Sequence, residues 1–246
     1  MKIYKEEKFL ELPEAVFLDL DNTLYSYDSA HSIALGSVKK KLVDSLSISS
    51  KDFDFGYSTA REEVKKSLTG TAASHSRLLY FQRMLEYFGL KSQPLLVLDL
   101  EQTYWRSFLN GANIFEGVER FLDRLRLLGI QTAVVTDLTS QIQLRKIIYF
   151  RLDQLIDFVV SSEEVGVDKP HEAVFRVALA KTGVSGEAVW MIGDSTDKDI
   201  RGAREAIGAT TIQKIHKGVK VGTGSGLPDA SIRDFSELEK FLSKFG

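Results

Sequence analysis

Ala15-Val16-Phe17-Leu18-Asp19-Leu20-Asp21-Asn22-Thr23 is the stretch on which the fold and chemistry of this chain turn. Four apolar residues read as a buried strand, and two carboxylates arrive where that strand should end. Residues two apart on an extended chain point the same way, so Asp19 and Asp21 would bring two negative charges close together. One of them would then have to hold a proton, unless a hard cation removes the conflict. Magnesium typically binds through one or two carboxylates together with substrate phosphate oxygens, which makes the pair a candidate metal and phosphate site. Helix capping explains one such aspartate but not two at this spacing. A calcium loop needs Gly at its sixth position and Glu at its twelfth, where the chain has Leu24 and Ala30.

Composition narrows the classes. The 246 residues are 43% hydrophobic and 27% charged, enough for a full core in one large domain or two modest ones. A net charge of −2 leaves no basic footprint for a nucleic-acid scaffold. No apolar run approaches the ~18 residues of a membrane helix. The opening Met1 to Lys8 stretch is too charged for a signal peptide, so a cytoplasmic protein with no membrane partner is expected. Having no cysteine excludes disulfides, thiolate catalysis and cysteine-ligated zinc. The histidines, His31, His75, His171 and His216, form no HExxH pair, and Gly193-Asp194-Ser195 lacks the GxSxG context of a serine nucleophile.

After residue 112, β-rich runs at 130–136, 158–161, 188–192 and 209–213 alternate with helical stretches, the pattern of parallel strands joined by crossover helices. Val118, Phe121, Leu122, Leu125 and Leu128 recur at helical spacing before Gly129, and further helices are expected at 140–150, 171–182, 199–207 and 235–245. Residues 28–110 read instead as long helices at 29–47, 52–67, 74–89 and 94–109. The strand at 15–19 needs partners that arrive only after residue 130. The expectation is therefore an α/β core from residues 1–27 and 111–246, with residues 28–110 inserted as a helical cap. The glycine-rich 218–226 stretch does not join a strand to a helix as a phosphate loop requires, and reads as a surface loop.

Ligands in open α/β sheets bind outside the carboxyl ends of the strands. Asp19 and Asp21 follow the first strand, Thr136 the second, Lys169 the third and Asp194 the fourth, so one site would collect them all. Phosphoryl transfer needs charge neutralisation and positioning around three equatorial oxygens. Asp194, with Asp199 five residues later, would complete a magnesium site with Asp19. Lys169 would supply a positive charge, and Thr136 a hydroxyl donor. Singly these residues are ordinary; a lysine before Pro170 is commonly just a helix start.

Asp19-x-Asp21-x-Thr23, Thr136 after Ala133-Val134-Val135, Lys169-Pro170 and Gly193-Asp194-x-x-x-x-Asp199 together resemble the four motifs of the haloacid dehalogenase superfamily. The resemblance spans nearly the whole chain and implies a Rossmann-like parallel sheet with the helical cap of subfamily I. It implies that Asp19 is the nucleophile, forming an aspartyl-phosphate. Asp21 would protonate the leaving oxygen, deprotonate the attacking water and ligate Mg2+ through its backbone carbonyl. Thr136 and Lys169 would hold the phosphoryl group, Asp194 would bind Mg2+, and Asp199 would orient that site. Asp137 departs from the Asn found in many relatives, and its side chain is expected to face away from the phosphate.

Dehalogenases of this superfamily lack the second aspartate of the first motif, so Asp21 favours a phosphatase. The expected activity is magnesium-dependent hydrolysis of a small phosphorylated metabolite, a sugar phosphate or nucleotide. A phosphomutase of the same superfamily is the alternative enzyme, and a phosphoacceptor or binding module without turnover the alternative class. The segment 67–77 interrupts the cap's helical pattern and carries His75 and Arg77, candidate substrate contacts, or else is an ordinary connection capped by Ser74. Tyr25 and Tyr27 either wall the pocket or pack, with packing favoured for Tyr25. Oligomeric state is not legible in the sequence.

Overall fold

The computed structural model describes residues 1–245. Its strands are β1 (Lys2–Ile3), β2 (Ala15–Leu18), β3 (Gln131–Thr136), β4 (Phe158–Ser161), β5 (Val189–Gly193), β6 (Thr210–Lys214) and β7 (Ala230–Ile232). Among the described residues they form one sheet in the order β1-β7-β6-β5-β2-β3-β4. The pairs are parallel except that of β1 with β7. Residues Ala15 to Leu18 are wholly buried, as a strand covered on both faces must be, which is why β2 reads as an unbroken apolar run rather than an alternation. Phe17 lies in register with Ala133 on one side and Met191 on the other. The chain leaves β2 for β3 and β4, then returns to the opposite side of β2 for β5, so the sheet's direction of growth reverses beside β2. Such a reversal opens a crevice at the strands' carboxyl ends.

The helices are α1 (Tyr27–Leu46), α2 (Ser50–Ser67), α3 (Arg77–Tyr87), α4 (Pro94–Gly111), α5 (Val118–Leu127), α6 (Ser140–Tyr149), α7 (Ser162–Val165), α8 (Glu172–Thr182), α9 (Gly202–Ile207) and α10 (Ser236–Leu242). Contacts divide the chain into two units, Met1–Ser26 with Ile114–Gly246, and Tyr27–Asn113. In the first, α8 and α9 bury Val174, Phe175, Ala178 and Ala203 in a core with Phe17, Val135, Val160 and Met191 of the sheet. The second is a helical bundle whose interior holds Phe53, Tyr80, Phe81, Met84, Leu100, Tyr104 and Phe108.

Several elements differ from the sequence reading. β1 and β7, of two and three residues, are too short to show a period; the Asp229 carbonyl, which accepts from the Tyr4 and Lys5 amides, ties them together. The helix expected at 74–89 splits into a 3-10 turn, Ala72–His75, and α3, because extended Ser76 intervenes and its hydroxyl caps Leu79 N at 3.4 Å. The helix expected from 199 instead starts as a π-helical turn, Thr196–Arg201, in which Asp199 N and Ile200 N share the Ser195 carbonyl. Wide turns of this kind are frequent at functional sites. Among the described residues, no helix is long and apolar enough to cross a membrane.

Candidate active site

Asp19 continues the β2 pairing by one residue, donating its N–H to the Ile192 carbonyl at 2.9 Å. That bond aims its carboxylate into the crevice, where Oδ1 accepts from Lys169 Nζ at 2.8 Å and Oδ2 from the Thr23 hydroxyl at 2.8 Å. Lys169, only 3% exposed, also donates to Asp199 Oδ1 at 2.7 Å and to the Val135 carbonyl at 2.8 Å. An ammonium has three donors, and these contacts use all of them. Asp199 reaches inward because residue 193 is glycine: a Cβ there would lie 2.3 Å from Asp199 Oδ2 and 2.5 Å from its Cβ. The second Asp199 oxygen accepts the Ser195 amide at 3.0 Å. Asp194 follows β5, and its carboxylate meets the imidazole of His216, Oδ2 to Nε2 at 3.1 Å.

Carboxylate oxygens of Asp19, Asp194 and Asp199 lie within 4.8 Å of one another. Burial pushes Asp19 up to about 7 despite Lys169, and Asp194 up to about 6 despite His216; Asp199 is raised by burial as well. Burial also works against the Lys169 ammonium, but Asp19 and Asp199 outweigh it and push its pKa up, so it stays charged. Lys169 pairs with two of the three carboxylates, which leaves surplus negative charge in a largely buried site. That donor set, all hard oxygen and undercompensated, fits a hard divalent cation.

Asp21 goes elsewhere. β2 ends at Leu18, and the Leu20 carbonyl turns the chain by accepting from Leu24 N at 3.0 Å, with Asn22 at a φ of 64°. The two carboxylates therefore diverge instead of sharing one face of a strand. Those of Asp21 accept from Lys146 Nζ, at 2.7 Å to Oδ1 and 2.9 Å to Oδ2, and from the Tyr25 hydroxyl. Tyr25 is fully buried and its ring lies 4.9 Å from that of Phe150. Of the four residues read as metal ligands, Asp19, Asp194 and Asp199 bring their carboxylates together, while Asp21, read as a ligand through its backbone carbonyl, sends its side chain to Lys146 and Tyr25.

Thr136 ends β3 with its hydroxyl oxygen accepting from Gln143 Nε2 at 2.6 Å. The same nitrogen donates to the Asp137 carbonyl at 2.6 Å, an obligate acceptor that fixes the amide's orientation. Because Thr136 Oγ1 is an acceptor there, its own proton is free to point at another oxygen; here it makes a 3.3 Å contact with the Asp137 carbonyl. The Asp137 side chain is tied to the Lys169 loop, accepting Lys169 N at 2.9 Å and Lys198 Nζ at 2.6 Å.

His75 and Arg77 belong to the helical unit. Arg77 is 7% exposed, donates to the His75 carbonyl and to the Tyr27 hydroxyl, and faces the rings of Tyr27, Tyr80, Tyr104 and Trp105 at 5.4 to 5.8 Å. Tyr27 stacks on His31.

Sequence reasoning placed Thr23 in the first motif without a role and missed Gln143, Lys146 and His216. In α6 only the fold gives them away: its buried face carries Gln143 and Lys146 beside Ile142 and Ile147, while Leu144 and Ile148 are 46% and 63% exposed. Polar residues inside and apolar ones outside invert the usual amphipathic order.

A sequence model of haloacid dehalogenase-like hydrolases matches residues 16–213. The chain is 34% identical over 199 residues to a ribulose-1,5-bisphosphate 5-phosphatase of Halopiger xanaduensis, covering 80% of this chain and 83% of that one. It is 24% identical over 225 residues to a glyceraldehyde 3-phosphate phosphatase of Methanocaldococcus jannaschii, covering 92% and 95%. The crystal structure of a 2-haloacid dehalogenase from Pseudomonas syringae, 23% identical, superposes with a TM-score of 0.71 over 96% of this chain and 100% of that one, a likeness of fold. The match begins inside β2, just ahead of Asp19, and runs past Asp199 into β6, taking in every residue of the acidic crevice: the chain belongs to the haloacid dehalogenase-like hydrolases.

Proposed function

We propose that this chain is a Mg2+-dependent phosphatase that hydrolyses a small phosphorylated sugar through an aspartyl-phosphate on Asp19. The observation that carries the reading is the convergence of the Asp19, Asp194 and Asp199 carboxylates at the carboxyl end of the sheet, with Lys169 paired to Asp19 and Asp199. The names of the relatives, phosphatases of ribulose bisphosphate and of glyceraldehyde phosphate, support a sugar phosphate as the substrate class.

Asp19, Asp194 and Asp199, with the Asp21 backbone carbonyl, would hold the cation, which when bound neutralises charge on the carboxylates and the phosphoryl oxygens. Asp19 attacks phosphorus as the ester P–O bond breaks, and Asp21 gives its proton to the leaving oxygen. A water then attacks the aspartyl-phosphate, passing a proton to Asp21 and freeing Asp19. Lys169 and the Thr136 hydroxyl steady the transferring group, Thr136 with the proton that Gln143 leaves unengaged. Residues 28–110 act in this reading as the cap that selects the substrate. His75 is its candidate contact, and Arg77 acts through the His75 carbonyl it holds.

Inorganic phosphate release from a panel of phosphorylated sugars, nucleotides and organic acids, with and without Mg2+, tests the proposal. Magnesium-dependent turnover that vanishes in Asp19→Asn supports it; turnover surviving in that variant removes the nucleophile, and none on any ester removes the activity.

A further inference from the structure

We propose that Lys146 is a positioning residue for Asp21: its buried ammonium, clamped across both carboxylate oxygens from α6, fixes the direction in which the acid–base carboxylate faces the leaving oxygen. The inference rests on the phosphatase reading above and deepens it.

Lys146 is fully buried, in the middle of α6, and a buried lysine is expensive unless paired. Its 2.7 and 2.9 Å contacts to Oδ1 and Oδ2 fix the plane of the Asp21 carboxylate, leaving no free rotation about the terminal torsion. The Tyr25 hydroxyl adds a third contact on Oδ1, and the Lys146 ammonium lies 5.7 Å from the centre of the Tyr25 ring. Tyr25 is itself wedged against Phe150, one turn beyond Lys146 on the chain that follows α6. The clamp is thus built from both ends, by the turn after β2 and by α6.

The inward face of α6 also carries Gln143, three residues before Lys146 and therefore beside it. Each of these polar side chains ends on a motif residue: Gln143 on Thr136, Lys146 on Asp21. A helix needed only for packing would present apolar residues at these two positions. In the reaction, one Asp21 oxygen carries the proton that the leaving oxygen takes as the ester bond breaks. The ammonium keeps hold of the other oxygen, so the carboxyl stays aligned when its charge changes. Lys146 has no exposed surface and touches neither substrate nor cation in this account; it acts through Asp21.

A leaving-group comparison tests the assignment. Alkyl phosphates, including sugar phosphates, expel an alkoxide that must be protonated. p-Nitrophenyl phosphate and acetyl phosphate expel stable anions that need no proton. Because Asp21 also serves the later attack of water, which all substrates share, the readout is release of the leaving group in a single turnover. Lys146→Met is expected to slow it roughly a hundredfold for the best alkyl phosphate, the low end of a general acid's contribution, and to change it no more than about threefold for the two activated substrates. KM and the Mg2+ concentration for half-activation should stay unchanged, and Lys146→Arg should restore part of the loss. Asp21→Asn should show the same selectivity, and adding Lys146→Met to it should bring no further loss on alkyl phosphates.

Equal single-turnover losses on all substrates, no loss on any, or losses that multiply in the double variant would overturn the proposal. The double variant removes both charges together, so it is the control for a fold harmed by one uncompensated charge. A native chain silent on every ester would count against the phosphatase reading instead, leaving the two failures distinguishable.

Discussion

Asp19→Asn should stabilise the metal-free protein at pH 7, and that advantage should shrink as the solution is acidified to pH 5. Asp19 has its pKa pushed from 3.8 up to about 7, chiefly by burial and by the neighbouring Asp199, against the pull of Lys169. A shift of about three units corresponds to roughly 4 kcal/mol at ~1.36 kcal/mol per unit. Asp199 shares the Lys169 ammonium with Asp19, and Asp194 lies within 4.8 Å of both, so the first proton relieves all three carboxylates and their contributions do not sum. Between pH 4 and pH 7 the folded chain holds a proton that the unfolded chain has released, so this group's contribution to stability falls as pH rises through that window. About 2 kcal/mol of it falls between pH 5 and pH 7, worth roughly 4–8 °C of Tm for a chain of this size. His31 pulls the other way: burial, with Arg77 and Arg61 nearby, lowers its pKa from 6.5 to about 4, so acid costs the fold stability there. The quantity to measure is therefore the difference in Tm between the native and Asp19→Asn chains, by thermal denaturation in chelator at pH 5, 6 and 7. Added Mg2+ should raise the native Tm more at pH 7 than at pH 5, and have little effect on the variant. An advantage that is independent of pH, or that grows on acidification, would refute the reasoning.

Other perturbations separate the parts of the site. Gly193→Ala would place a Cβ 2.3 Å from Asp199 Oδ2, so Asp199 should be displaced and the Mg2+ concentration for half-activation should rise about tenfold or more, with a stability loss of about 1–3 kcal/mol. Gln143→Leu removes the donor to Thr136; because Gln143 Oε1 is buried without a hydrogen bond, stability should change little while kcat/KM falls roughly tenfold. A large fall in Tm with unchanged kinetics would contradict that view. Asp137→Ala leaves the Lys169 amide without its acceptor and should cost about 1–3 kcal/mol in denaturant titration, whereas Asp137→Asn keeps an acceptor and should cost less.

β2, β3 and β5 were legible because strands covered on both faces are rich in apolar and β-branched residues, whereas β4 and β6 were legible from their Val, Ile and Thr content. Placing Asp19, Thr136 and Asp194 at the strand ends followed from the strand boundaries, while Lys169 lies in the loop beyond α7. The fate of Asp21 did not. It depends on a turn closed by the Leu20 carbonyl and on Asn22 adopting a left-handed conformation, features that set direction without altering the motif's spelling. Ser76, rather than Ser74, begins α3, since either serine could cap and only the bundle's packing selects between them. Lys146 and Gln143 stayed hidden because a polar residue in a helix is read as facing water, and only the tertiary fold reveals partners from a turn more than a hundred residues earlier for Lys146.

All three donors of Lys169 are engaged before any substrate arrives. A ligand can reach that ammonium only by exchange, taking the place of Asp19, Asp199 or the Val135 carbonyl. Two of these three partners are carboxylates, and replacing either requires a partner of comparable charge, which a phosphate dianion offers and a neutral ester or an alcohol does not. The crowded lysine thereby works as a filter on net charge. An uncharged mimic of the substrate, however well shaped, should leave its contacts undisturbed and bind weakly.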